Sequence, residues 1–295
     1  MSYKNSLSSG QLIIQMGPFR VRVQSGIPSV IEGIELLYSD YPILPGDGFA
    51  DYIVRLSQPH GLRHFWHKQV LFTFDQFEPF KPLPFSQALP FFEWGLNWCI
   101  SGFAHQYLII HAAVIEKNSK ALILPGFPGS GKSTLCAALV NSGWRLLSDE
   151  LTLVDCVTGK IVPVPRPVSL KNNAIDLIQQ TFPQAIFSET VHDTSKGSVG
   201  LMKPLASSIQ AMEQEADASF IVFPQYQNNT PLSLLAIDKA EAFMRIADLS
   251  FNYPVLEAQG FNVLGRLIEQ TAIYHFSYDG DLLEAIKCFD ELVVG

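Results

Sequence analysis

The chain has 295 residues, 47% of them hydrophobic, enough for one large domain or two smaller ones around a substantial core. A formal charge of -8 and an isoelectric point of about 5.3 argue against a general nucleic-acid binder, which carries a basic patch. The 4 cysteines (Cys99, Cys136, Cys156 and Cys288) form no C-x-x-C pair, so a zinc framework is excluded and a disulfide scaffold is unexpected at this size; a reduced, cytoplasmic protein is the expectation.

The N-terminal residues 1–10 lack the apolar stretch of a signal peptide. Residues 19–23, 52–56 and 70–74 then alternate with period two. In the first of these, Phe19, Val21 and Val23 share one face while Arg20 and Arg22 share the other, as in a half-buried strand. Pro42, Pro45, Gly46 and Gly48, then Pro59 and Gly61, separate the segments, so residues 1–84 read as a small antiparallel β region. Pro79, Pro82 and Pro84 make residues 78–84 a connector. Residues 86–105 read as a mostly buried helix, with Phe91, Phe92, Trp94, Leu96 and Trp98 as core. The most apolar stretch, 90–115, is interrupted by Glu93, Asn97, His105, Gln106 and His111, so no membrane-spanning helix is expected.

Residues 85–295 read as an α/β domain. Strands are expected at 108–115 and 121–125 with a turn at 117–120, and a helix at 134–140 that ends at Gly143. A strand at 145–148, placed beside the 121–125 strand, runs into Asp149 and Glu150; residues 151–155 and 161–164 form a hairpin around Thr158 and Gly159. A mixed stretch of helix and loop follows. Segments 220–223 and 232–235 are strand-like, and helices start at Asp238 and Asp281, each an acidic cap with a glutamate three residues on (Glu241 and Glu284).

The most informative segment is Gly126-Phe127-Pro128-Gly129-Ser130-Gly131-Lys132-Ser133, the G-x-x-x-x-G-K-S pattern of a phosphate-cradling P-loop. A strand before it and a helix after it supply the context such a loop needs. Gly126, Gly129, Ser130, Gly131 and Thr134 are expected to bring backbone N–H groups to phosphate oxygens at a helix N-terminus. Lys132 would reach the β/γ-phosphates of ATP, and the Ser133 hydroxyl would hold Mg2+. Asp149 and Glu150 follow Lys132 by 17 and 18 residues at a strand end, where ligands of an open α/β sheet collect. Adjacent carboxylates on a strand point opposite ways, so only one aims fully at the metal, and which one stays open. His111 lies inside an apolar strand; it is either a core residue or a hydrogen-bond partner of a phosphate or carboxylate. His192, Asp193 and Lys196 lie in a polar loop at 192–198 that is either an ordinary surface loop or one that closes over phosphates. Arg166 and Lys171 are further candidate cations.

Residues 111–116 (H-A-A-V-I-E), 126–133 and 143–150 (G-W-R-L-L-S-D-E) resemble the catalytic domain of HPr kinase/phosphorylase. That family has a histidine in the strand before its P-loop, a loop ending G-K-S, and a G-x-R-L-x-x-D-D segment after the P-loop helix. The chain is similar over nearly its whole length to a branch called HPr kinase-related kinase A, through residues 93–99, 165–172, 193–197 and 251–253; for the enzyme proper the resemblance covers about residues 108–205. The resemblance implies an α/β P-loop kinase domain with a mixed sheet. It implies that Lys132 and Ser133 bind phosphates and Mg2+, that Asp149 is the base toward the acceptor hydroxyl, and that His111 stands near it. Glu150 replaces a second family aspartate. Lys196 matches the arginine of the family's E-I-R-G signature, and Thr194 stands where that signature has a metal-binding glutamate.

These readings converge on an ATP- and Mg2+-dependent kinase that phosphorylates a hydroxyl, a serine of a small protein or peptide. The alternatives are a kinase of a free small molecule such as an amino acid, and a nucleotide-gated binding module. No N-K-x-D or L-S-G-G-Q segment is present, against a GTPase or a transporter ATPase. No nucleic-acid or membrane partner is expected; the resemblance suggests self-association.

Overall fold

The period-two segments of the N-terminal third are strands, and the alternation places Phe19, Val21 and Val23 inside. The structure is a computed structural model that describes residues 3–59, 68–127 and 129–294; Gly61 and Pro128 of the segments above lie outside the described residues. The elements in chain order are α1 (Tyr3–Ser9), β1 (Leu12–Met16), β2 (Phe19–Ser25), α2 (Pro28–Leu37), β3 (Ile43–Leu44), β4 (Tyr52–Ser57), β5 (Gln69–Phe74) and β6 (Leu83–Pro84). Then come α3 (Ala88–Phe103), β7 (Tyr107–Lys117), β8 (Lys120–Pro125), α4 (Lys132–Asn141), β9 (Arg145–Ser148), β10 (Leu151–Asp155), β11 (Ile161–Val162) and β12 (Val168–Lys171). The remainder are α5 (Asn173–Thr181), β13 (Val191–Thr194), β14 (Gly197–Met202), α6 (Ala206–Gln210), β15 (Ala218–Tyr226), β16 (Ser233–Ala236), α7 (Lys239–Asp248), α8 (Tyr253–Gln270), β17 (Ala272–Tyr278) and α9 (Leu282–Val294). No helix among the described residues is long and apolar enough to cross a membrane.

Two compact units are interleaved in the sequence. The first takes in residues 1–100, 169–175 and 186–203; the second takes in 101–168, 176–185 and 204–295. The first unit contains a six-stranded sheet in the order β3-β1-β2-β4-β5-β6 and a three-stranded sheet in the order β12-β14-β13. The expected antiparallel β region is corrected here, because β2 and β4 are parallel. Parallel neighbours need a crossover, and α2 provides it. Its helix starts with Pro28 in the first turn and buries Val30, Ile31, Ile34 and Leu37. Gly33 has no side chain for a packing reason: a Cβ there would lie 2.5 Å from Leu89 of α3.

The second unit is built on a mixed sheet in the order β11-β10-β7-β8-β15-β17-β16, with β9 also on β7. The α/β class and the mixed sheet accord with the sequence. Leu108, Ile110, Ala112 and Val114 on one face of β7 share a core with Ile246, Val263, Leu264 and Leu267 of α7 and α8. Helix α4 packs on β7, β8 and β9 and against α9, on the other face. Strands of such a sheet, covered on both sides, read as continuous apolar runs, which is why β7 and β8 show no alternation. The β7–β8 turn uses Asn118 and Ser119 at φ 54° and 60°, the left-handed pair of a two-residue hairpin. Asp238 and Asp281 cap α7 and α9 as expected, each carboxylate accepting two backbone N–H groups.

Candidate functional site

Strand β8 ends at Pro125, and the chain turns through the 126–133 loop into α4. Gly129 and Gly131 adopt φ of 92° and 91°, a left-handed backbone that side chains disfavour. Gly131 is also the N-cap of α4 and provides no side-chain cap, so the first helical turn opens directly onto the loop. A Cβ on Gly126 would lie 2.5 Å from the Ser130 Oγ, and a Cβ on Gly131 would lie 2.3 Å from the Tyr278 hydroxyl. Backbone angle thus favours glycine at 129, close approach requires it at 126, and both apply at 131. Gly131→Ala is expected to destabilise the fold by about 2–4 kcal/mol in urea titrations. Adding Tyr278→Phe should restore part of that loss, since it removes the colliding oxygen.

Lys132 opens α4 and is 7% exposed; Ser133 and Thr134 follow on the first turn and are half-buried. The Ser130 Oγ is buried and has no hydrogen-bond partner among the described residues. The Ser133 Oγ donates to the Asp149 Oδ2 at 3.3 Å, and Asp149 is 5% exposed. The two sides of the site therefore meet through α4 and the β9–β10 junction.

That junction corrects the expected neighbour of the 145–148 strand. β9 pairs antiparallel with β7, not with β8, and β10 continues along the same edge of β7. Arg145 and Leu146 pair with Glu116 and Ile115, then Ser148 pairs with Val114, so Leu147 is an extra residue. Such a bulge bends a strand and re-aims the side chains after it. Asp149 and Glu150 occupy the break before β10 resumes with Leu151 opposite His111. Side chains take over the ladder at the break: the Ser148 hydroxyl accepts from the Leu151 N–H, and the Thr152 hydroxyl donates to the Ala112 carbonyl.

Cys136, one turn into α4, reads the charges around it. Burial holds its thiol well above the ordinary range, Asp149 adds to that, and Lys132 opposes it. Lys132 and Asp149 thus act on one desolvated spot.

His111 is fixed by a segment that sequence reasoning did not connect to it. Its N–H donates to the Leu249 carbonyl at 2.8 Å, and its ring lies 5.6 Å from that of Phe251. Asn252, 1% exposed, grips β7 directly: its side chain accepts from the Ile109 N–H and donates to the Tyr107 carbonyl. Residues 251–253 carried part of the resemblance, and the clamp on β7 gives Asn252 its physical reason.

Two tyrosines beside the loop were also missed. Tyr226 ends β15, and its N–H donates to the Ser130 carbonyl at 3.1 Å. Tyr278 ends β17; its hydroxyl reaches the Gly131 carbonyl at 3.5 Å, and its ring meets Tyr226 edge to face at 5.8 Å. Burial, with Tyr226 beside it, holds the Tyr278 phenol above its usual range, so it stays a neutral donor.

Lys196 stands in the first unit, on the β13–β14 turn, with its ammonium 4.9 Å from the centre of the Trp94 ring. The Thr194 hydroxyl is committed to the same turn, donating to the Gly197 carbonyl and accepting from the Lys196 N–H. Asp193 takes a left-handed φ of 57° and its carbonyl accepts from Gln87. The His192 ring bonds the Ser198 hydroxyl, and the Asn172 side chain accepts from the Ser198 N–H. In this unit Trp94, Asn172 and the turn form one cluster. Lys171 ends β12, half-buried, and Arg166 is buried in the second unit. No group of three or more His, Cys, Asp or Glu among the described residues is placed to hold a metal ion.

No known protein-family model matches this chain, and no curated protein matches it. It is similar to a solved structure of the Hpr(Ser) kinase/phosphatase from Coxiella burnetii, at 10% identity over 63% of this chain and 97% of that one, with a TM-score of 0.27. That likeness is too slight to carry either fold or chemistry across.

Proposed function

We propose that this chain is an ATP- and Mg2+-dependent kinase of the HPr kinase type that phosphorylates a serine hydroxyl on a small protein or peptide. The observation that carries the reading is the Ser133 hydroxyl held 3.3 Å from the Asp149 carboxylate on the first turn of a glycine-capped helix. A nucleotide triphosphate fits the residues present. The loop offers a helix N-terminus with no side-chain cap, a buried lysine, and a Ser130 hydroxyl with no partner among the described residues. Mg2+ is ordinarily held by one or two carboxylates together with substrate phosphates and waters, so one hydroxyl and one carboxylate suffice.

ATP supplies the phosphoryl group, and Mg2+ offsets its charge. Lys132 binds the phosphate chain and fixes its position against α4. Ser133 orients the Asp149 carboxylate from one side, and the bulge at Leu147 sets its direction from the other. Asp149 takes the proton from the acceptor hydroxyl as the hydroxyl oxygen bonds to the γ-phosphorus of ATP and the bond from that phosphorus to the β-phosphate oxygen breaks, releasing ADP. Glu150 supplies further negative charge at the break. The roles of His111 beside Asp149 and of Lys196 as a phosphate cation rest on the resemblance. A cytoplasmic setting is part of the same reading, and all four cysteines are free.

The test is transfer of labelled phosphate from ATP to candidate proteins encoded beside this chain. Label on a serine of a polypeptide is the expected result. Label on a free amino acid, or none on any acceptor while ATP is bound, would overturn the assignment.

A further inference from the structure

In the sheet order, Asp149 and Tyr226 lie on opposite sides of the loop-bearing strand β8. Asp149 follows β9, across β7; Tyr226 ends β15, on the other flank. β8, β15 and β17 run parallel, so the 126–133 loop, Tyr226 and Tyr278 come out at one edge of the sheet. In open α/β sheets that edge is where a ligand lies. If the acceptor approaches Asp149, the rest of the nucleotide extends the other way, over β15.

What stands there is an aromatic ring that is fixed and still open. Tyr226 is 46% exposed. Its edge is braced by Tyr278, and Gly280 leaves room for it, since a Cβ there would lie 3.1 Å from the ring. Its hydroxyl donates to the Asn228 side chain. Its backbone N–H bonds the Ser130 carbonyl, so the ring is tied to the phosphate loop itself. A rigid half-open ring with an apolar face loses little freedom on stacking.

We infer that Tyr226 is the stacking platform for the purine base of the nucleotide, beside the phosphate loop and opposite the acceptor side. The inference rests on the nucleotide site proposed above. It assigns the base end of that site, which the motif leaves unspecified.

The experiment measures binding of Mg-ATP and of Mg-tripolyphosphate, which has the phosphates without the base, by calorimetry. Wild type, Tyr226→Ala, Tyr226→Leu and Tyr226→Phe are compared, each checked by thermal melting. Tyr226→Ala and Tyr226→Leu are expected to bind ATP about five- to hundredfold more weakly, with tripolyphosphate unchanged. Tyr226→Phe should keep ATP affinity, because it keeps the ring face. Leu keeps bulk against Tyr278, so it carries the test if Ala does not fold. Unchanged ATP affinity in Ala or Leu would overturn the inference. So would an equal fall for both ligands, which would mean the ring only shapes the loop. If wild type binds neither ligand, the nucleotide site itself is wrong, and that outcome is distinct from the other two.

Discussion

Asp149→Asn is expected to lower phosphoryl transfer by about 10²–10⁴-fold, the usual contribution of a positioned general base. The substitution is a narrow one. Asn keeps the shape, and its side-chain oxygen can still accept from the Ser133 hydroxyl, now 3.3 Å from Asp149 Oδ2. It loses only the charge and the ability to take a proton. The carboxylate is 5% exposed, so no water-filled surface can substitute for it. The nucleotide should still bind, because Lys132 and the helix N-terminus are untouched. Transfer assays with labelled ATP give the first quantity, and calorimetry gives the second. Normal turnover by the variant would sink the assignment of Asp149.

Local chemistry made half of this site legible. The glycines at 126, 129 and 131, the lysine and the serine fall within eight residues, and the left-handed angles at 129 and 131 and the approach of Ser130 to Gly126 are local. The acidic caps of α7 and α9 and the left-handed Gly143 after α4 are equally local. What the sequence did not disclose is carried by long separations. Asn252 holds Ile109 across 143 residues, and Tyr278 meets Gly131 across 147. No spacing rule reaches that far. The bulge at Leu147 was invisible for another reason. A strand that slips by one residue looks apolar in either register when both faces are buried. The error about its neighbour has the same root: β7 and β8 are both continuous apolar runs, and either would accept β9. Helix α2 was hidden by Gly33, which weakens a helical pattern but is demanded by Leu89.

The resemblance and the geometry part at Thr194. Where the family signature holds a metal-binding glutamate, this chain has a hydroxyl already bonded on both sides within its own turn. The Thr194 hydroxyl therefore closes the turn. In the proposed reaction Mg2+ would be held by the Ser133 hydroxyl with Asp149 or Glu150, next to the hydroxyl–carboxylate contact of the site.

Lys132→Ala is the complementary test, and it should separate the two halves of the site. Lys132 is 7% exposed at the first position of α4, and its charge reaches Cys136 in opposition to that of Asp149. A desolvated ammonium bonded to phosphate is a charge-assisted interaction, so its loss should weaken ATP binding by about ten- to hundredfold. Removing it also leaves the Asp149 charge less balanced in a low-dielectric spot, which on its own would lower stability. Lys132→Met keeps most of the volume and distinguishes the effects: both variants should lose ATP affinity alike by calorimetry, and Met should melt closer to wild type. Unchanged affinity in either would refute the phosphate role of the loop. The pair of sites then gives a sharper criterion than either alone. Asp149→Asn should bind and not transfer, and Lys132→Met should fail to bind. If both variants lost binding together, Asp149 would belong to the nucleotide side through Ser133, and the proton acceptor would have to be sought at His111 or Glu150.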